Sequence, residues 1–229
     1  MTPARELIAY ASTPCSKRTI AALQGAGWHA LVSPARCVWY THDLPYALDN
    51  GAWSAFQQQR PWDSQRFQRL LRQRGGDAEW VVVPDIVAGG MRSLALSLAW
   101  LPRILDAAPY ALLAVQDGMQ PPDVAPYLGS RVGIFVGGST TWKLTTLPHW
   151  CGLGAQMSCR VHIGRVNSLR RLRACQLAGA TSFDGTSVTR YAKNLPRLDH
   201  LRRQGMLLTM PPERSVDADA AVLDGRDHY

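Results

Sequence analysis

Short apolar runs alternate with amphipathic or basic stretches along nearly the whole chain. Runs ELIAYAS (Glu6–Ser12), HALVSP (His29–Pro34), YALLAVQDG (Tyr110–Gly118), VGIFVGG (Val132–Gly138), RVHIGRV (Arg160–Val166) and TSFDGTS (Thr181–Ser187) read as strands. WVVVPDI (Trp80–Ile86) is continuously apolar and β-branched up to Pro84, as strands buried on both faces are. A further small apolar run ends at Asp49-Asn50-Gly51. Between these lie helical patterns. SKRTIAALQGAG (Ser16–Gly27) opens on a Ser cap and stops at Gly. MRSLALSLAWLPRIL (Met91–Leu105) and SLRRLRACQLAGA (Ser168–Ala180) are amphipathic, and NLPRLDHLRRQG (Asn194–Gly205) is a last helix before MLLTM (Met206–Met210). WKLTTLPHWCGLGAQ (Trp142–Gln156) reads as a helix interrupted by its proline.

Seven to nine strand candidates alternating with helices at this spacing predict βα units. The 229 residues suit a single-domain (β/α)8 barrel of the TIM type, and a doubly wound open sheet is the alternative. We place the barrel in residues 1–212 and a short, acidic, loosely ordered tail in 213–229.

Composition narrows the class. Apolar residues make up 46% and charged residues 18%, enough for a substantial core. The formal net charge is +8, carried mostly by Arg, which favours an acidic partner such as nucleic acid. Five cysteines without a C-x-x-C pair argue against a disulfide framework or a self-contained zinc site. His42, His149, His162 and His200 lack metal-ligand spacing, and His162, inside a strand, reads as a packed residue. No metal or cofactor is expected. The polar N-terminus does not read as a signal peptide, and no apolar run approaches the roughly 20 residues of a membrane span. A cytoplasmic protein with reduced thiols is the expectation. No GxGxxG or P-loop pattern is present.

The strand endings carry the candidate chemistry. They are Asp49-Asn50-Gly51, Pro84-Asp85, Gln116-Asp117-Gly118, Gly137-Gly138, Gly164-Arg165 and Asp184-Gly185. Any one is an ordinary turn. In a parallel barrel, however, all such endings lie on one face, the face that carries chemistry. Asp and Gln match the edge of a purine, Gly137-Gly138 lets a flat ligand approach the backbone, and Trp53 offers a ring for stacking. A carboxylate can attack a sugar anomeric carbon. Lys143, Arg165, Arg190 and Lys193 follow the strand ends and are placed for phosphates, although solvated surface charge accounts equally well for each. Arg170, Arg171 and Arg173 read as the outer face of one helix.

Taken in order, these motifs resemble the tRNA-guanine transglycosylase family. DNGAWS resembles the family's D-S-G-G-[FY]-Q, VVVPDI its strand ending in F-D, AVQDG its V-Q-G-G, and FVGGST its G-G-L-A-V-G. VHIGRVNSLRRLRACQLAGATSFDGTS follows the order of the stretch leading to G-[IV]-D-x-F-D, with Gly164, Leu169, Gly179, Phe183 and Asp184 in register. The resemblance covers Ala47 to Ser187 and implies a (β/α)8 barrel that exchanges guanine for a 7-deazaguanine base. It implies Asp184 as nucleophile and Asp49 as the residue that handles the base proton. Asn50, Trp53, Asp85, Gln116, Gly137, Gly138 and Gly164 would form the base pocket.

The family's C-x-C-x-x-C zinc site is absent, and F-D-C-V-x-P-T-R is replaced by FDGTSVTRYAKN. With the short chain, these departures resemble the compact DNA-acting branch that inserts 7-deazaguanines, preQ0-like, into DNA; the resemblance implies a phage-type member acting in the host cytoplasm. The implied partners are DNA, with its guanine flipped out or single-stranded, and a free 7-deazaguanine base. Exchange into tRNA and a hydrolytic DNA N-glycosylase are the alternatives.

Overall fold

The computed structural model describes residues 7–12, 16–35 and 44–204. In chain order the elements are β1 (Ile8–Ser12), α1 (Lys17–Ala26), β2 (His29–Val32), β3 (Tyr46–Leu48), α2 (Ala52–Gln57), α3 (Ser64–Arg74) and β4 (Val81–Val82). Then come α4 (Met91–Ala107), β5 (Ala111–Val115), α5 (Pro121–Val124), a 3-10 turn (Ala125–Tyr127), β6 (Val132–Val136) and α6 (Thr140–Gln156). β7 (Val161–Ile163), α7 (Leu169–Ala178), β8 (Ser182–Gly185), α8 (Ser187–Arg190) and α9 (Asn194–Arg203) complete it. The strands pair in parallel in sequence order, and β8 closes onto β1 with Tyr10 opposite Asp184. Closure excludes the open doubly wound sheet: this is a (β/α)8 barrel.

Strand periodicity sorts the side chains into two layers. Ala9, Ala11, Leu113, Val115, Ile134, Val136, Val161, Ile163 and Phe183 point outward into the core between strands and helices. Their alternates Tyr10, Leu31, Ala47, Trp80, Val82, Leu112 and Ala114 fill the barrel, with Phe135 against them. The same alternation carries past the last apolar residue of several strands. Two residues beyond Tyr10, Leu31, Ala47, Ala114 and Phe135 stand Ser12, Ser33, Asp49, Gln116 and Gly137, all lining one cavity at the C-terminal end.

The helix signals act as read. Ser16 caps α1 by accepting from the Thr19 N–H at 3.1 Å, and Gly27 ends it in the left-handed region. Ser168 and Gly179 do the same for α7. Two points differ. α6 runs unbroken through Pro148, which removes one helical hydrogen bond without ending the helix. α3, which the apolar pattern does not assign, is capped by Asp63 and buries Phe67, Leu70 and Leu71 at helical spacing beneath an Arg- and Gln-rich outer face. The expected apolar run 206–210 and tail 213–229 lie outside the described residues, as do His42, Cys15 and Cys37. Cys151, Cys159 and Cys175 are buried free thiols. Among the described residues, no helix is long and apolar enough to cross a membrane.

Candidate active site

The C-terminal mouth of the barrel holds a cavity of about 460 Å³, within the roughly 300–1,000 Å³ of small-molecule sites. Among the described residues four carboxylates line it, Asp49, Asp85, Asp117 and Asp184, together with the cations Arg165 and Arg190.

Asp49 follows β3 and is anchored by its N–H to the Val32 carbonyl at 2.8 Å. Gly51 then adopts φ +82, and a Cβ there would press on Pro34 at 3.3 Å, so the turn into α2 calls for glycine. The tight turn brings the Gly51 N–H back onto the Asp49 carboxylate, which also accepts from the Ser33 hydroxyl. Burial pushes the Asp49 carboxyl up to about 7, and the nearby charges of Asp184 and Asp85 push it the same way. It can therefore both give and take a proton near neutrality.

Asn50 lines the cavity and also braces it. Its Nδ2 donates to the Val83 carbonyl at 2.9 Å and to Asp85 Oδ1 at 2.7 Å, while its Oδ1 accepts from the Ala52 N–H at 2.8 Å. Asp85 lies beyond Pro84, and burial raises its carboxyl to about 6 despite the Asn50 bond. Gln116 is 2% exposed, and its amide is committed behind Asp85. Its Nε2 donates to Ser93 Oγ at 2.8 Å and more weakly to Asp85 Oδ2 at 3.4 Å, and its Oε1 accepts from the Gly89 N–H at 3.0 Å. The expected contact of Gln116 with a base edge would have to share these partners; what the side chain does here is fix the loop that presents Asp85.

Asp184 is the penultimate residue of β8 and is 5% exposed. Its Oδ1 lies 3.1 Å from His162 Nε2 and accepts from the Arg165 backbone N–H at 3.3 Å. His162 is fully buried, stacked on Phe135 at 5.0 Å, with Nδ1 2.9 Å from Ser182 Oγ. Burial holds its imidazole below the usual value, against the pull of Asp184. The packed histidine of the sequence reading is thus also a partner of the candidate nucleophile. Register could have found it: His162 pairs with Ser182, so both point inward one step below Asp184.

Around the rim, Arg165 adopts φ 60, lays its guanidinium over the Trp53 ring at 4.2 Å and donates to the Gly138 carbonyl. Trp53, in the first turn of α2, also stacks against Phe56 at 5.8 Å. Gly138, at φ +70, packs where a Cβ would collide with Asp117 Oδ2 at 2.6 Å. Asp117 itself accepts from Ser139 N–H at 2.7 Å and Oγ–H at 2.6 Å, which orders the start of α6. Gly137 lines the cavity, but its N–H is taken by the Val115 carbonyl at 2.9 Å. The expected close approach of a ligand at Gly137 stays open, but its N–H is not free to donate to one.

Two other expectations shift. Lys143 is not a phosphate contact: it is 5% exposed and donates to the Gly164 carbonyl. Burial, then the charge of Arg165, lowers its ammonium to about 7. Gly164 is buried off the cavity, where a Cβ would meet the Phe135 ring at 2.9 Å and approach Asp184 Oδ1 at 3.5 Å. Arg190 lines the cavity with its side chain exposed, whereas Lys193 is exposed outside the lining. Among the described residues, no group of three or more His, Cys, Asp or Glu could hold a metal ion.

No protein-family model matches the chain, and no curated protein does. Solved structures do match in fold. Tryptophan synthase from M. tuberculosis is 16% identical over 86% of this chain and 90% of its own, with a TM-score of 0.51. RipC from Yersinia pestis is 14% identical over 85% and 95%, at 0.50. An HpcH/HpaI aldolase from Desulfitobacterium hafniense is 8% identical over 86% and 93%, at 0.51. At these identities the likeness is one of barrel architecture.

Proposed function

We propose that this chain is an enzyme that exchanges guanine in DNA for a 7-deazaguanine base through a covalent aspartyl-glycosyl intermediate. The observation that carries the reading is that Asp49, Asp85 and Asp184, from three separate strand ends, line one cavity at the C-terminal mouth. Like charges gathered in a buried site are costly, and they repel phosphate, so a purely structural or DNA-holding role does not explain them.

In the first step Asp184 attacks C1′ of the guanosine nucleotide. The C1′–N9 bond breaks, its electron pair leaves with guanine, and the protonated form of Asp49 supplies the proton. In the second step the Asp49 carboxylate takes the N9 proton of the incoming 7-deazaguanine. N9 then attacks C1′, and the ester pair returns to Asp184. Retaining glycoside chemistry uses the same two-carboxylate logic. Asp85, held by Asn50 and Gln116, offers acceptors to the donor edge of a guanine-like base. Trp53 supplies the stacking ring.

The test is label exchange. The protein is incubated with guanine-containing DNA and labelled guanine or preQ0. Incorporation by the wild type and its loss in Asp184→Asn support the reading. Release of guanine with no incorporation makes the protein a hydrolytic glycosylase, and exchange into tRNA but not DNA moves the substrate. Full exchange by Asp184→Asn removes the nucleophile assigned here.

A further inference from the structure

We propose that His162 is a positioning residue: its Nε2–H holds Oδ1 of Asp184 in place and leaves Oδ2 as the oxygen that bonds to C1′. This deepens the transglycosylase reading and rests on it.

The two ends of the imidazole are unequal. An ionised carboxylate only accepts, so the contact at 3.1 Å requires the proton on Nε2. Nδ1 is then an acceptor, and the Ser182 hydroxyl at 2.9 Å must donate to it. The Asp184 carboxylate thereby sets the tautomer, and the Ser182 hydroxyl, able to donate or accept, complies. The ring itself cannot turn easily. It is fully buried, stacked on Phe135, 4.6 Å from Trp80 and 5.5 Å from Tyr10, measured between ring centres. The Arg165 N–H adds a second donor to the same oxygen at 3.3 Å. Among the described residues both hydrogen bonds to the Asp184 carboxylate go to Oδ1 and none to Oδ2. A carboxylate with one oxygen tied by two donors attacks with the other. In the reaction the C1′–Oδ2 bond forms as the C1′–N9 bond breaks, and His162 keeps its proton throughout. It touches neither sugar nor base.

Two measurements test this on the full-length protein. The first needs no activity: proton–nitrogen correlation spectra of ¹⁵N-histidine-labelled protein, with His162 assigned from the His162→Gln spectrum. The expected result is a protonated Nε2, a bare Nδ1, and an Nε2 resonance displaced in Asp184→Ala. A protonated Nδ1, or resonances indifferent to Asp184→Ala, overturns the proposal. The second is single-turnover formation of the glycosyl-enzyme, trapped and weighed by mass spectrometry.

His162→Phe fills the space but lacks the donor, and should slow adduct formation about 100-fold, the order expected when a reacting group is misplaced by about 1 Å. Affinity for the free base should stay unchanged. His162→Gln restores an N–H at similar reach and should recover most of the rate. Equal losses in the folded Phe and Gln variants, or no loss in either, overturn the proposal. A wild type that carries the Nε2–H tautomer and yet never forms an adduct defeats the reaction reading, and with it the role of Oδ2. It leaves the His162–Asp184 bond established, so the two failures are distinct.

Discussion

At the N-terminal end of the barrel Glu79 sits among donors; at the C-terminal end Asp49 sits among carboxylates. Glu79 accepts from the Tyr10 hydroxyl at 2.9 Å and contacts His29 Nδ1 at 2.6 Å, and Trp80 Nε1 donates to Tyr10 in turn. Burial works to raise the Glu79 carboxyl, but the hydrogen bond and charge of His29, then the Tyr10 bond, outweigh it and hold it below the usual value. Among the described residues Asp49 has the Gly51 N–H and Ser33 hydroxyl to set against burial and two neighbouring carboxylates, and its carboxyl rises. The same functional group is satisfied at one end and frustrated at the other. A barrel needs the first arrangement to close its floor. The second adds nothing to folding, and on that ground we propose the mouth as the reactive end.

The sharpest way to break this contrast is to neutralise one acid at each end. Asp184→Asn keeps an acceptor for His162 and removes the charge and the proposed nucleophile. Base exchange should fall by at least about a thousand-fold, as when a covalent catalyst is removed. Thermal melting should stay the same or rise. Glu79→Ala should do the reverse. It takes the acceptor from Tyr10 and His29 and should cost about 2–3 kcal/mol of stability, read from urea unfolding, while the folded protein exchanges base at the wild-type rate. If Glu79→Ala abolishes exchange without loss of stability, the floor is not merely structural and the contrast fails.

A smaller effect tests the signs. Asp49 has its carboxyl raised from 3.8 to about 7 on folding, so between those values the folded chain binds more protons than the unfolded one. Stability from this group is therefore lost as pH rises through that window. Glu79 is depressed, so its contribution is present above the unfolded value of 4.5 and lost as pH falls through its folded value. Asp49→Asn should leave stability at pH 4 nearly unchanged and raise it at pH 8 by an amount of the order of 2 kcal/mol. Melting curves across pH read this directly. A variant that melts lower than wild type at pH 8 would mean that Asp49 is satisfied after all.

Much of this architecture is legible in the chain. ALDNG, AVQDG and SFDG each announce a strand and its polar end, and alternation alone turns Asp49, Gln116 and Asp184 inward. What the chain does not announce depends on neighbours distant in sequence. Lys143 looks like any lysine after a strand, and it is buried only once α6 packs against β6, β7 and α7. His162 looks like a core residue until β8 sets Asp184 beside it. Gln116 carries the right chemistry for a base edge, but the loop from Ile86 to Ser93 claims its amide first. α3 escapes notice because three apolar side chains among arginines and glutamines give a helical face too sparse to stand out.

The smallest predicted effect concerns the rim, where the frustrated end meets its own cation. Arg165 covers the Trp53 ring at 4.2 Å, the ring on which a bound purine is proposed to stack. Such a cation–π contact is worth about 1 kcal/mol at a partly exposed site. A base that takes this face must displace the guanidinium, and a phosphate of the incoming strand is the natural group to receive it. Arg165→Ala should then bind free 7-deazaguanine about five-fold more tightly, the equivalent of about 1 kcal/mol. The same variant should bind DNA more weakly, with a salt dependence shallower by about one unit. Calorimetry with the free base and salt titrations with DNA separate the two effects. Weaker base binding in Arg165→Ala would instead make the guanidinium part of the base pocket, with the purine held by arginine and tryptophan together rather than in place of one of them.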